Sequence, residues 1–196
     1  MSGDYMLDLN TVQSLDINNS IWLKGTTEAY TYGGKSYGVF NGTENLQAVL
    51  NVNMDLLRSL NLEDPYQMVF DHKWTFDKFV EYCKAATKDL DGNNVYDNKD
   101  QYGAAFNGDG LLTLFRSSGI HITEKDQTTG LVSYTLNTQQ NIDILQNMRD
   151  KLVAPKLIPE YQAHTVYSQM FQEGRLLFFP YWQPYIRDTT VNIDFE

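Results

Sequence analysis

The chain has 196 residues, a formal net charge of −10 at neutral pH and a sequence pI near 4.6. Binding of nucleic acid or of an anionic membrane surface needs a surplus of lysine and arginine, so this charge balance argues against both partners. The single cysteine, Cys83, excludes an internal disulfide, and no apolar run approaches the length of a transmembrane helix. Tyrosine is abundant, with 13 residues, which favours a wet binding surface in a folded protein.

The first quarter of the chain is polar and predicts little regular structure before two strands. Residues 35–40 follow a Gly33-Gly34 turn and form a plausible short strand. Residues 46–53 alternate apolar and polar side chains, which predicts a strand with Leu46, Ala48, Leu50 and Val52 on a mostly buried face. Asn53 can cap the helix that follows this strand.

The clearest predicted helix starts at residue 76. Thr75 is a suitable N-cap, and Trp74 and Phe79 have the spacing of a hydrophobic staple. Trp74 is therefore expected to pack in the core and not to contact a ligand. Cys83 lies on the apolar stripe of the same helix and is expected to be a core residue, not a nucleophile.

An acidic stretch after this helix has the spacing of a calcium-binding loop. Twelve residues, 89–100, place side-chain oxygens at the first, third, fifth, ninth and twelfth positions, and the seventh offers a backbone carbonyl. The predicted ligands are Asp89, Asp91, Asn93, Val95 (carbonyl), Asp97 and Asp100. Asn94 replaces the usual turn glycine, although asparagine tolerates the left-handed conformation. A turn-rich acidic loop without an ion is the alternative.

The second half of the chain alternates strands and helices. A buried strand over 102–106 leads to a small-residue loop at 107–110, where a ligand could approach the backbone. Further predicted elements are a helix at 111–118, a hairpin around Thr129-Gly130 within 121–136, a helix at 137–153 with Asn137 and Gln140 as capping box and Ile142 inward, and a helix at 166–173.

The apolar run at 175–179 is typical of a central buried strand, and aromatic residues follow it directly. The exit of a central strand is where an open α/β sheet usually binds its ligand. The sequence contains no phosphate-binding glycine loop, nucleophile elbow or zinc-type histidine pair. These features together predict a binding protein and not an enzyme.

Seven short motifs, in this order, resemble a known family. They are Gly34–Tyr37, Asn53 with Asp55–Leu57, Pro65-Tyr66, Trp74–Asp77, Asp89–Gly92, Asp100–Gly103 and Phe171–Arg175. The chain is similar to the family 1 extracellular solute-binding proteins of bacterial ABC transporters, the sugar-binding group related to maltodextrin-binding protein. The resemblance spans nearly the whole chain.

The resemblance implies an α/β, periplasmic-binding-protein-like type II fold with a sugar held between two lobes. Family members are about twice as long as this chain, which implies a truncation to mainly one lobe. Residues 1–45 would be a remnant of lobe one and the hinge approach, and residues 46–196 an incomplete lobe two. The expected setting is extracellular, as a cell-surface lipoprotein or a periplasmic protein whose leader is absent here.

The resemblance also implies the residues of a sugar site. Trp182 matches the family's stacking aromatic, because sugar C–H faces pack on aromatic rings. Weaker candidates from the same segment are Tyr181 and Tyr185. Cleft-lining polar candidates are Glu44, Asn45, Asn107 and Asp109. The implied partners are a carbohydrate and the membrane permease subunits of an ABC importer, with the protein itself a monomer.

Two other functions stay open at this point. A fragment of a secreted carbohydrate-active enzyme would carry two carboxylates facing each other across the aromatic patch. A calcium-stabilised extracellular interaction module would bind a partner protein and lack a sugar cleft. In the sugar-binding hypothesis, calcium in the acidic loop is structural and connects the helix after Thr75 to the strand at 102.

Overall fold

The computed structural model describes residues 5–42 and 48–182 of the chain. The chain divides into two compact units. One comprises Met1–Asn45 with His121–Asn137, and the other comprises Leu46–Ile120 with Thr138–Glu196. The hairpin at 121–137 thus belongs to the same unit as the N-terminal residues, although it lies far from them in sequence.

The described part of the chain contains both strands and helices, as the sequence predicts. The described strands are β1 (Thr31–Tyr32), β2 (Lys35–Ser36), β3 (Ala48–Val52), β4 (Tyr102–Ala104), β5 (Thr123–Lys125), β6 (Val132–Tyr134) and β7 (Leu176–Trp182). The described α-helices are α1 (Lys24–Ala29), α2 (Met54–Ser59), α3 (Pro65–Phe70), α4 (Phe76–Ala86), α5 (Gly108–Ser117), α6 (Gln139–Met148) and α7 (His164–Gln172). A 3₁₀ turn at Leu9–Thr11 and a π-helical turn at Arg149–Val153 complete them.

The first unit contains two small antiparallel hairpins. In one, β1 pairs with β2, with Thr31 opposite Ser36. In the other, β5 pairs with β6, with Thr123 opposite Tyr134, which confirms the predicted hairpin. The strand predicted over 35–40 is shorter than expected and ends at Ser36.

The second unit is built on a three-stranded sheet in the order β3-β7-β4. Strand β7 is central: it pairs antiparallel with β3 and parallel with β4. Its residues Leu176, Leu177 and Phe178 are fully buried and Phe179 is nearly so, as predicted for a central strand.

Helices cover both faces of this sheet. On one face, residues of α2, α3 and α4 pack against Phe178, and Trp74 contacts the rings of Phe79, Tyr82 and Phe178 at centroid distances of 6.4, 5.4 and 5.7 Å. Trp74 is thus a packing residue, as the staple pattern predicts. On the other face, α7 contributes buried side chains that pack against Phe179.

The predicted helix caps are mostly confirmed. The Asn53 side chain accepts a hydrogen bond from the Leu56 N–H (2.8 Å), and Thr75 Oγ1 accepts one from the Lys78 N–H (3.2 Å). Helix α6 begins two residues later than predicted, because Thr138 and not Asn137 provides the N-cap.

Three other details differ from the predictions. Helix α5 begins three residues early, since the Asn107 side chain already caps it. Leu50 and Ile142, both predicted to face inward, are exposed. Among the described residues, β3 has a strand partner on one side only. Such a short edge strand leaves its outer positions accessible, which accounts for Leu50. None of the described helices is long and apolar enough to cross a bilayer.

The closest backbone approach between α4 and the sheet occurs at Gly103. A Cβ added there would lie 2.2 Å from Cα of Cys83, so only glycine allows β4 to pack directly on α4. Cys83 is fully buried at this contact, and its burial raises the pKa of the thiol, which makes it an inert core residue as predicted.

The Gly103→Ala substitution is expected to lower the free energy of unfolding by about 3 kcal/mol, because the added methyl group collides with helix backbone and not with a movable side chain. Chemical denaturation of both proteins measures the difference. Gly108→Ala is the matched control, since a Cβ there meets no atom within 4 Å. Equal stability of the Gly103→Ala variant and the wild type would contradict the close packing of β4 on α4.

Candidate functional site

Strands β4 and β7 are parallel neighbours, so their carboxyl ends lie side by side at one end of the sheet. Tyr102 lies opposite Leu176 and Ala104 opposite Phe178 in the β4–β7 ladder, so both strands run in the same direction. The chain leaves β4 toward Asn107 and ends β7 at Trp182. The structure therefore brings together two of the segments in which the sequence predicts sugar-binding residues.

The Asn107 segment packs against the end of β7. Asn107 Oδ1 accepts a hydrogen bond from the Gly110 N–H (2.7 Å), which starts α5. A Cβ at Gly110 would lie 3.1 Å from Cγ of Pro180, so a larger residue would push α5 away from β7. Asn107 thus has a structural role as helix cap, and its amide group sits beside the strand exit. Asp109 lies in the first turn of α5, and its side chain is outside the description.

The aromatic candidates differ in how far the structure describes them. Tyr181 is half-buried, and its ring stacks on Phe179 at a centroid distance of 5.1 Å and on His164 at 6.5 Å, so it packs on the α7 side of the sheet. The backbone of Trp182 pairs with that of Ala48 at the end of β7, but its side chain is outside the description. Tyr185, Glu44 and Asn45 lie outside the described residues.

A pocket of about 470 Å³ opens on the other face at the same end of the sheet. It lies between β3, the end of β7 and helices α4 and α5, and its wall includes Val49, Leu50, Phe76, Phe106 and Pro180. The polar side chains among its described wall residues are threonine and serine hydroxyls and the indole of Trp74, and no described wall residue carries a carboxylate. The pair of facing carboxylates expected of a glycoside hydrolase is therefore not found among the described wall residues.

The acidic loop forms a second candidate site, in the second unit. Carboxylate oxygens of Asp89, Asp91 and Asp100 lie within 4.8 Å of one another, while that of Asp97 is not part of this group. Asp100 is 1% exposed, and none of the ion pairs among the described residues involves Asp89, Asp91 or Asp100. Three clustered carboxylates without a basic partner form a site that can hold a cation.

Backbone N–H groups organise these carboxylates. Asp89 accepts hydrogen bonds from Asn94 N (2.8 Å) and Gly92 N (2.7 Å), and these bonds lower the pKa of Asp89, with the Asn94 bond contributing most. The Asp100 carboxylate accepts hydrogen bonds from Leu90 N and Asp97 N, both at 2.9 Å. Because Leu90 is the second residue of the loop and Asp100 the last, the first of these bonds joins the two ends of the loop.

The rest of the predicted ligand set is compatible with this arrangement. Asn94 has a φ of +62°, the left-handed conformation that the sequence requires of it. Asn93 Oδ1 accepts from the Val95 N–H (2.6 Å), and Val95 itself is exposed. The donor set is entirely oxygen, which suits a hard cation such as calcium.

Arg175 is a residue of this region that the sequence analysis missed. It precedes β7, and its guanidinium donates to the backbone carbonyls of Asn98 and Asp100 while it pairs with the Glu173 carboxylate. The hydrogen bond from Arg175 lowers the pKa of Glu173. Its position in the sequence, between Gly174 and an apolar run, could have indicated this role. An arginine at the start of a buried strand needs nearby hydrogen-bond acceptors for its guanidinium N–H groups.

Comparison with solved structures identifies the fold. An ABC substrate-binding protein from Listeria monocytogenes in complex with cycloalternan matches 97% of this chain and 46% of its own at 17% identity, with a TM-score of 0.59. A cyclo/maltodextrin-binding protein complexed with maltotetraose matches 92% of this chain and 42% of its own at 19% identity and a TM-score of 0.56. The maltotriose-binding protein of Thermus thermophilus matches 82% and 38% at 18% identity and a TM-score of 0.50.

Neither the protein-family models nor the curated protein sequences give a match. The structural likeness nevertheless covers nearly the whole of this chain, while the chain spans less than half the length of each of these three proteins. The expected fold class is confirmed: the chain has the α/β, periplasmic-binding-protein-like fold of the sugar-binding solute-binding proteins of ABC transporters.

Proposed function

We propose that this protein captures an oligosaccharide for an ABC importer and does not transform it. The observation that carries the proposal is that the carboxyl ends of the parallel strands β4 and β7 lie side by side, with Asn107 after one and Trp182 at the end of the other. Solved proteins with this fold bind cycloalternan, maltotetraose and maltotriose. Trp182 would stack on a sugar face, and Asn107 would donate its amide N–H to a hydroxyl.

In this proposal, residues 46–196 belong to one lobe, residues 1–45 belong to the other lobe and the approach to the hinge, and the sugar binds between them. Closure of the two lobes on the ligand would generate the form that the permease recognises. Glu44, Asn45, Asp109, Tyr181 and Tyr185 remain proposed ligand residues. The setting would be outside the cytoplasmic membrane, periplasmic or as a cell-surface lipoprotein, with the protein a monomer.

Calcium in the acidic loop would be structural in the same proposal. The loop joins α4 to β4 in sequence, and Arg175 attaches its last residues to the start of β7. A cation among Asp89, Asp91 and Asp100 would offset the repulsion of three carboxylates, one of which is buried. It would stabilise the connection without contacting the sugar.

The 196-residue chain alone is expected to bind maltotetraose weakly or not measurably, because one lobe offers only about half of the contacts of a two-lobed cleft. Isothermal titration calorimetry measures the affinity of the 196-residue chain for maltotetraose and, for comparison, the affinity of the longest protein that its gene encodes. Submicromolar binding by the 196 residues would contradict the two-lobe proposal. Release of shorter sugars from maltotetraose during the titration would favour the enzyme alternative.

The Trp182→Ala substitution in the longest gene product is expected to raise the dissociation constant for maltotetraose by about 30-fold, which corresponds to the loss of one buried aromatic contact of about 2 kcal/mol. Calorimetric titration of the variant provides the measurement. Trp74→Phe is the control, because Trp74 packs among Phe79, Tyr82 and Phe178 and its substitution should reduce stability while sugar affinity is unchanged. Unchanged affinity in Trp182→Ala would remove this residue from the site.

The melting temperature is expected to rise with calcium in the wild type, because a ligand that binds only the folded state adds about 2.7 kcal/mol at a hundred times its dissociation constant. Asp91→Asn should abolish this rise. Without calcium, the variant should be at least as stable as the wild type, since it removes one of three clustered charges. Asp143→Asn is the control, as Asp143 lies on α6 and bonds only to Gln139. A wild-type melting temperature that does not change at millimolar calcium would argue strongly against an ion in the folded loop.

A further inference from the structure

A small pocket of about 190 Å³ lies beside the acidic loop, away from the strand exits. Its wall includes the aromatic rings of Tyr96 and Tyr102, the carboxylates of Asp97 and Glu160, and the amide of Gln162. No lysine or arginine belongs to its described wall. The pocket therefore brings acidic and aromatic residues together.

The Tyr102 hydroxyl is the polar group of this pocket without a partner. Tyr102 is 1% exposed, and its hydroxyl makes no hydrogen bond to any described residue, although its ring lies 6.1 Å from that of Tyr96. Among the described residues, Ser36 Oγ is the fully enclosed side-chain oxygen without a partner, so the Tyr102 oxygen still touches the open space of the pocket. Tyr102 thus offers one unused acceptor and one unused donor at the pocket wall.

Negative charge surrounds this hydroxyl. Asp97 and Glu160 line the same pocket as Tyr102. Burial, and after it the charges of Asp100, Asp97 and Glu160, raise the pKa of Tyr102 to about 12. The nearest arginine, Arg175, is directed to Glu173 and to backbone carbonyls and does not pair with the wall carboxylates. None of the described ion pairs involves Asp97 or Glu160.

The far wall of the pocket is held in place by a buried tyrosine. The Tyr167 hydroxyl donates to the Glu160 carbonyl (3.0 Å) and accepts from the Gln162 N–H (2.8 Å), and Tyr167 is 1% exposed. The near wall is fixed by the loop, where Asp97 accepts from the Lys99 N–H (2.8 Å). A site whose walls are fixed before binding loses little conformational entropy when a ligand enters.

We propose that this pocket binds the ammonium or guanidinium group of an organic cation. A primary ammonium group has three N–H donors, which the carboxylates of Asp97 and Glu160 and the oxygen of Tyr102 can accept. The half-buried ring of Tyr96 favours the attached carbon atoms and the charge. The volume admits a short alkyl amine or the end of a lysine or arginine side chain. This site is separate from the proposed sugar site and does not depend on it.

Titration with n-propylammonium chloride tests the proposal, at a fixed calcium concentration so that the acidic loop is in one state throughout. Two-dimensional amide NMR should show saturable shifts at the amides around residues 96–102 and 160–162. Sodium chloride of equal ionic strength and n-propanol, which lacks the charge, should not produce them. Shifts of the same size with either control, or shifts that do not saturate, would overturn the proposal.

Two variants assign the binding to this pocket. Glu160→Gln should raise the dissociation constant for n-propylammonium about tenfold and Tyr102→Phe about threefold. Tyr102→Phe is informative because the hydroxyl has no described hydrogen-bond partner, so the variant should fold with wild-type stability. Glu63→Gln carries the same charge change as Glu160→Gln away from the pocket and should bind as the wild type does. Wild-type affinity in both pocket variants would overturn the proposal.

A second titration distinguishes the sources of the cation. A capped Gly-Lys-Gly peptide presents the same ammonium group on a protein side chain. Tighter binding of the peptide than of n-propylammonium supports a lysine of a partner protein as the ligand, and tighter binding of the free amine supports a small metabolite. Binding of magnesium or calcium at these residues in preference to both ammonium ligands would overturn the proposal.

Discussion

The burial of β7 is the constraint on which the second unit depends. Leu176 to Phe179 are almost completely excluded from solvent, and the strand is hydrogen-bonded on both sides. Its side chains belong to two cores, with Leu177 and Phe178 in one and Leu176 and Phe179 in the other. A strand in this position fixes the register of both neighbours, and that register determines which residues meet at the edge of the sheet.

Two local contacts attach other elements to this strand. Gly103 allows β4 to approach α4 at backbone distance, and Arg175 joins the end of the acidic loop to the start of β7. The loop therefore lies at the opposite end of β7 from Trp182. The separation gives physical grounds for distinct roles, with the proposed cation site near the start of the strand and the proposed sugar contacts near its end.

Much of this architecture could be predicted from the sequence, because its signals are local. The N-caps Asn53 and Thr75, the staple of Trp74, and the apolar run of β7 each act within a few residues. The loop spacing predicted four carboxylate ligands, and three of these carboxylates, those of Asp89, Asp91 and Asp100, lie together. The exposure of Leu50 depends instead on which strand lies at the sheet edge, and alternation along one strand carries no information about its neighbours.

The sequence analysis missed some residues of the candidate sites for a different reason, which is the distance along the chain between the residues that meet. The pocket beside Tyr102 joins residues about 60 positions apart, and the role of Arg175 depends on a loop more than 70 positions earlier in the chain. No periodicity or short motif encodes such pairs. The family resemblance, and no local pattern, assigned Asn107 and Trp182 to one proposed site. The parallel pairing of β4 and β7 is a finding of the structure, and the fold of the solved neighbours agrees with the resemblance.

The central claim is that an oligosaccharide binds where β4 and β7 leave the sheet. A crystal structure of the longest product of the gene, grown with maltotetraose, tests it most directly. The account predicts a sugar ring on the indole of Trp182 with a hydroxyl near the amide of Asn107. A sugar bound elsewhere, with Trp182 packed in the core and the strand exits covered by protein, would contradict it.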